Sequence, residues 1–370
     1  MNDRYIGLMA GTSLDGVDAV LARIRSDNDI RTLAWHYQPF EADLRATLRR
    51  YCFADTIPLA TLGELDARLG EVFAQAALDL LRRAGVRPGD VRAIGSHGQT
   101  LHHGPDARHP YSLQIGDPNR IAARTGITTV ADFRRRDIAA GGQGAPLVPA
   151  FHHAVFRHPG EDRAVLNLGG IANLTLLPAA PDRPVTGFDT GPGNTLLDAW
   201  FRHHHRRGNW DEAGRWAAGG NPHPGLLRRL LADPYFQRRP PKSTGPEHFS
   251  LTWLQRHLTA FPGVSAADVQ ATLIQLTAVS ATTALRRTLP TAGRLLVCGG
   301  GVHNRTLMAA LARHSPCPVA TTAEAGVDPD RVESLAFAWL AWRTLERRPG
   351  NLPSVTGARG EVVLGGIYPA

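Results

Sequence analysis

Cysteine is scarce: Cys52, Cys298 and Cys317 are far apart and odd in number. They form no disulfide framework and no CxxC metal pair, and they point to a reducing compartment. No HExxH or comparable ligand spacing occurs, which excludes the common zinc sites. No apolar stretch approaches the roughly 18 residues that cross a bilayer. The opening residues Met1 to Arg4 lack the charged and then apolar pattern of a signal peptide, so the expected location is cytoplasmic. Basic runs are short, Arg134–Arg136 and His203–Arg207, and no basic helix face carries interleaved aromatics. The formal charge of +8, mostly from arginine, suggests anionic partners such as phosphates rather than nucleic acid, and an arginine-rich proteome explains it at least as well.

What remains is an ordinary globular composition. The chain has 370 residues, 20% charged and 43% hydrophobic, enough for two domains. Its 38 glycines and 27 prolines are spread along the chain, so no low-complexity class applies.

The stretch Gly187–Asn194 stands out. Asp189 is a lone carboxylate among Gly187, Gly191, Pro192 and Gly193. Glycine lets backbone and ligand come close, and a carboxylate on such a turn is a candidate general base. A tight turn in which Asp189 bonds its own backbone explains the same residues.

Along the chain, Tyr5–Met9 reads as a strand, Ala10–Gly16 as a turn, and the residues from Val17 as a second strand. Gly11 and Gly16 have Walker A spacing, but Val17-Asp18 stands where Lys-Ser/Thr is required, so this is no P-loop. The turn offers backbone N–H groups and the Thr12 and Ser13 hydroxyls for phosphate oxygens. Asp15 suits a magnesium ion held through water. A plain hairpin turn is the alternative. Leu62, Leu65, Leu69, Val72, Phe73, Ala76 and Leu80 predict an amphipathic helix ending near Gly85.

A strand at Val91–Ile94 delivers Ser96, His97 and Gln99, where α/β proteins place sites. A strand at Ile127–Val130 delivers Arg134, Arg135, Arg136 and Asp137 ahead of a glycine-rich turn. An arginine fork there suits a carboxylate or phosphate, although three arginines also describe a solvated run.

Ala164–Leu168, the Gly169-Gly170 turn and Ile171–Leu177 repeat the opening strand–turn–strand pattern. Two copies suggest two related domains. A helix is expected from near Thr195. Ser265 and Asp268 open another helix as a capping box. The strand Arg294–Cys298, the run Gly299-Gly300-Gly301 and a helix from about Asn304 form a nucleotide-binding arrangement, or simply a tight connection. Glu333 falls in the first turn of a helix over Val332–Arg347, where the helix dipole alone explains a carboxylate. Val362–Tyr368 is expected as a closing strand.

The ordered set Gly11 to Asp18, Ser96 to Thr100, Gly141 to Leu147, Leu168 to Asn173, Phe188 to Asn194 and Cys298 to Asn304 resembles the anhydro-N-acetylmuramic acid kinase family, over nearly the whole chain. The resemblance implies two ribonuclease-H-like α/β domains, of the actin-like ATPase type, around a central nucleotide and substrate cleft. The expected domains are 1–133, completed by 350–370, and 134–349. The implied reaction opens a 1,6-anhydro bridge with water while ATP phosphorylates the freed O6.

Asp189 is then the base. Gly11, Thr12, Ser13, Leu14, Asp15, Gly16, Val17 and Asp18, with Gly169, Gly170, Gly299, Gly300, Gly301 and Asn304, are implied to bind ATP, with Mg²⁺ at Asp15 through water. Glu333, Arg134, His97 and Gln99 are implied to bind the sugar. The implied partner is the small-molecule substrate, with a homodimer left open and neither nucleic acid nor membrane expected. Pro246 and Ser250 depart from the family's pattern after Lys242–Gly245, which argues against a substrate contact from that loop. A kinase for another sugar on the same fold is the alternative.

Overall fold

The structure is a computed structural model that describes residues 2–11 and 13–370. Thr12, expected to bind phosphate, lies outside the described residues. The chain divides into two compact units, Met1–Val155 with Arg331–Ala370, and Phe156–Asp330.

Unit 1 opens with a meander of β1 (Arg4–Met9), β2 (Gly16–Ser26) and β3 (Asp29–Pro39), each antiparallel to the next. β4 (Ala93–Ser96) then pairs parallel with β1. β5 (Gln99–Gly104) and β6 (Tyr111–Ile115) form a separate hairpin. β7 (Thr129–Ala131) pairs parallel with β4, and a last strand, Gly366–Tyr368, closes the edge. That last strand is shorter than the expected Val362–Tyr368.

Alternation along β1 sends its side chains to two faces. Ile6 and Leu8 join the cluster of Leu65, Leu69 and Phe73 from the helix Leu59–Ala84. That helix ends at Gly85 in the left-handed conformation, as the glycine there predicts. Gly7 faces the other way, against the helix Val332–Leu345.

Unit 2 repeats the scheme. β8 (Arg163–Leu168), β9 (Ile171–Leu177) and β10 (Thr186–Pro192) form an antiparallel meander. β11 (Arg294–Cys298) pairs parallel with β8, and β12 (Val319–Thr321) with β11. The sheet orders β3-β2-β1-β4-β7 and β10-β9-β8-β11-β12 are thus the same path drawn twice. The helix Ala266–Thr288 starts as read, with the Ser265 hydroxyl accepting the Asp268 N–H at 3.2 Å.

One expectation is corrected, and one division of the chain differs. The stretch around Asp189 is not a tight turn: Thr186–Pro192 is the edge strand β10, with a bulge between Asp189 and Gly191. The units divide at 155/156 and 330/331, where the sequence placed 133/134 and 349/350. The reason lies in buried contacts. Asp137, fully buried, accepts hydrogen bonds from Asn351 (2.7 Å), Thr356 (2.8 Å) and the Gly144 N–H (2.8 Å), which ties its segment to the C-terminus. The helix Val332–Leu345 lies on the backbone of β1 and β4, so it belongs to unit 1.

That approach depends on two missing methyl groups. A Cβ on Gly7 would overlap the Ser334 carbonyl, and one on Gly95 the Phe337 carbonyl. Gly95→Ala should therefore lower unfolding free energy by about 3 kcal/mol. Gly63→Ala, in a helix with nothing near the new methyl, should raise it by about 0.5–1 kcal/mol. Denaturant midpoints measure both, and equal shifts would contradict the packing described.

Candidate active site

In unit 1 the turn between β1 and β2 holds the first group of expected residues. Leu14 takes a left-handed backbone (φ 52°), uncommon for leucine, and its N–H reaches the Gly11 carbonyl at 3.3 Å. The Ser13 hydroxyl donates to Asp15 at 2.5 Å. Val17 is fully buried and Leu14 nearly so, and both side chains pack in the core of unit 1, which leaves their backbone N–H groups as what they could offer a ligand. Asp18 accepts from Arg331 at 2.6 Å, and the Arg331 guanidinium lies 3.9 Å from the Trp35 ring centre.

Behind that turn, His97 follows β4 and Arg134 opens the helix Phe133–Ala139. Arg134 donates to His97 Nε2 at 2.8 and 3.2 Å and to the Gly144 carbonyl at 2.9 Å. Nε2 must be unprotonated to accept. Burial, then the Arg134 cation, hold the imidazole neutral, with its pKa pushed down to about 3. Burial also lowers Arg134 to about 10, against the pull of Glu333 and Asp137. Burial and Asp18 raise the Glu333 carboxyl, while Arg134 lowers it. His97, Arg134, Glu333 and Asp18 are thus one electrostatic group. Arg135 pairs with Asp132 at 3.3 Å and, like Arg136, is exposed, so of the three arginines only Arg134 turns inward. Gln99 is fully buried and donates to the Thr100 carbonyl at 3.3 Å.

In unit 2 Asp189 sits at the β10 bulge. Its Oδ2 accepts the Thr244 N–H at 3.0 Å. Its own N–H reaches the Lys242 carbonyl at 3.1 Å, and its carbonyl accepts the Tyr235 hydroxyl at 2.7 Å. Burial pushes its carboxyl up to about 6, against the Thr244 hydrogen bond and the Lys242 charge. The loop Lys242–Gly245, where the sequence departures argue against a substrate contact, therefore braces the candidate base. No signal in the sequence pairs it with β10, because a loop that completes a sheet edge is chosen by tertiary contact.

The glycine turns of unit 2 make local contacts of their own. The Gly169 and Gly170 carbonyls accept the first N–H groups of the helix Asn194–His204 at 2.9–3.1 Å. Gly299 (φ 82°) and Gly301 press on the end of β8, and only Gly300 of the run faces open space. Asn304 caps the helix Arg305–His314, accepting the Leu307 N–H at 3.0 Å. Among the described residues no group of three or more His, Cys, Asp or Glu can hold a metal, and none of the helices is long and apolar enough to cross a membrane.

Two sheets with one strand order, each an antiparallel meander extended by parallel strands, define the ribonuclease-H-like α/β class shared by actin-like ATPases and sugar kinases. The family described as anhydro-N-acetylmuramic acid kinase matches residues 3–370. An anhydro-N-acetylmuramic acid kinase from Photobacterium profundum is 51% identical over 376 aligned positions, covering 100% of this chain and 99% of its own. The chain belongs to the anhydro-N-acetylmuramic acid kinase family. Among solved structures, an activator of 2-hydroxyisocaproyl-CoA dehydratase from Clostridium difficile overlaps 93% of this chain and 96% of its own at 11% identity and TM-score 0.48. A ROK family glucokinase from Streptomyces griseus overlaps 91% and 98% at 12% identity and TM-score 0.39. The class assignment rests on strand order, not on these overlaps.

A carboxyl with a raised folded pKa binds its proton more tightly folded than unfolded, so its contribution to stability falls as pH rises from about 4 through 6. Asp189→Asn should therefore melt higher than the parent above pH 6, with the gap closing toward pH 4. Melting curves across pH measure it, and a constant gap would contradict the burial described.

Proposed function

We propose that the chain is an ATP-dependent kinase that opens the 1,6-anhydro ring of 1,6-anhydro-N-acetylmuramic acid with water and phosphorylates O6. The products are N-acetylmuramic acid 6-phosphate, an intermediate of peptidoglycan recycling, and ADP. Family membership supports the activity and substrate. The mechanism rests on one observation: Asp189 is a half-buried carboxylate with one oxygen held by the Thr244 N–H and its pKa pushed up to about 6. Such a group is ionised at neutral pH yet basic enough to take a proton.

In the proposed step Asp189 removes a proton from water as the water oxygen bonds to the anomeric carbon. The C1–O6 bond breaks, and O6 with its electron pair attacks the γ-phosphorus of ATP, whose bond to the ADP oxygen breaks. The proton stays on Asp189, and the phosphoryl group caps the leaving oxygen. No second acid is needed, unlike the usual glycosidase pair.

The rest is positioning and charge neutralisation. The turn Gly11–Asp18 is assigned to phosphate, Gly169, Gly170 and Gly299–Gly301 to the nucleotide, and Arg134 to the lactyl carboxylate, with Glu333 and His97 toward the sugar hydroxyls. Asp15 and Ser13 fit a magnesium ion held through water; when bound it would offset phosphate charge, with most ligands from phosphate and solvent.

Incubated with ATP, Mg²⁺ and the anhydrosugar, the protein should yield a product heavier by one phosphoryl group and one water. Phosphorylation without that water refutes the coupled mechanism. Asp189→Asn should lower kcat by at least about 10³-fold while ATP still binds. The base works only when ionised, so kcat/KM should fall as pH drops through about 6; a profile flat down to pH 5 would assign the proton elsewhere.

A further inference from the structure

Lys242 is the only lysine in a 370-residue chain whose other basic residues are arginine and histidine. It stands on the loop that braces Asp189. Its ammonium donates to the Tyr235 carbonyl at 3.2 Å and lies 4.4 Å from the Tyr235 ring centre. Tyr235 is 2% exposed and sends its hydroxyl back to the Asp189 carbonyl.

Tyr235 is itself anchored. Its N–H bonds Asp233 at 2.9 Å, and Asp233 also takes the Trp253 indole at 3.0 Å and His248 at 3.1 Å. Its ring packs edge-on against Phe236 and Phe249. Among the described residues β10 is the sheet edge, with no neighbouring strand on its outer side, so this loop and turn supply what a further strand would otherwise give. The Asp189 N–H, its carbonyl and Oδ2 are all held from Tyr235 to Thr244. Among the described residues Oδ1 accepts no hydrogen bond, which leaves one oxygen for the proton of water.

We propose that Tyr235 and Lys242 are positioning residues for the base: Tyr235 sets where Asp189 stands on the bulge, and Lys242 locks the brace and supplies the carboxylate's counter-charge. This rests on the reading of Asp189 as the base. The charged and titratable groups facing Asp189 are Lys242 from the loop and the Tyr235 phenol from the turn Pro234–Gln237. Arg238, and Arg287 on the helix Ala266–Thr288, act on Lys242. Lysine suits the task because a compact ammonium on a flexible stem can bond a carbonyl and cap a ring at once, which a planar fork does not reproduce.

The test is the pH profile of kcat and kcat/KM for the full chain and three variants, Lys242→Met, Lys242→Arg and Tyr235→Phe, with Asp189→Asn beside them. Lys242→Met should move the acid limb to higher pH, because the favourable charge is gone. Lys242→Arg should keep the limb in place, with a lower kcat. Tyr235→Phe should lower kcat about tenfold with sugar KM within about twofold. A merely structural role would lower the active fraction and leave the limb where it is. An unmoved limb in Lys242→Met overturns the proposal whatever its rate, and because Lys242 is half-buried in a loop, that variant decides even where Tyr235→Phe does not fold. Activity surviving in Asp189→Asn would instead sink the reading of Asp189 as the base.

Discussion

The closeness of one helix to one sheet sets the geometry of unit 1. Val332–Leu345 lies directly on the backbone of β1 and β4, at Gly7 and Gly95, where any side chain would collide with helix carbonyls. That contact joins the first strand to a segment more than 300 residues away in sequence. It also fixes the first turn of the helix, and so Glu333, beside the polar ends of the strands. Arg331, just before the helix, binds Asp18 on β2, so the helix start is held by charge as well as by packing.

Each unit then presents a carboxyl raised by burial. In unit 1 Glu333 is opposed by Arg134, itself held by a neutral His97 and a backbone carbonyl. In unit 2 Asp189 is opposed by Lys242 and one N–H. A carboxylate surrounded by many donors would be a poor base, and one with none would stay protonated at neutral pH. Asp189 lies between, which is the condition general base work requires. The chemical division follows: an arginine network that suits binding, and a lightly held carboxylate that suits proton removal.

Much of this was legible early. The opening meander, the helix Leu59–Ala84, the capping box at Ser265 and the repeat at Ala164–Leu177 all follow from period and turn residues, because local rules govern them. The Gly187–Asn194 stretch was legible as a candidate site but not as a strand. Its glycines read as a turn, whereas β9 pairs with it and leaves only a bulge. The loop Lys242–Gly245, whose departures from the family pattern argue against a substrate contact, bonds Asp189 instead. The unit boundaries moved because Asp137 and the helix Val332–Leu345 make their bonds far along the chain.

By itself, the order of residues determined much of the strand and helix inventory, the twofold repeat of the fold and the candidacy of the central aspartate. Each depends on residue type and short spacing, which a linear text contains. Only the tertiary structure decided that Arg134 rather than its two neighbours turns inward, that Gly299 and Gly301 press on the end of β8, and that the chain's one lysine stands on the loop bracing Asp189. Those outcomes depend on burial and on which distant atoms complete a hydrogen bond or fill a gap, and distance in space is not written in distance along the chain.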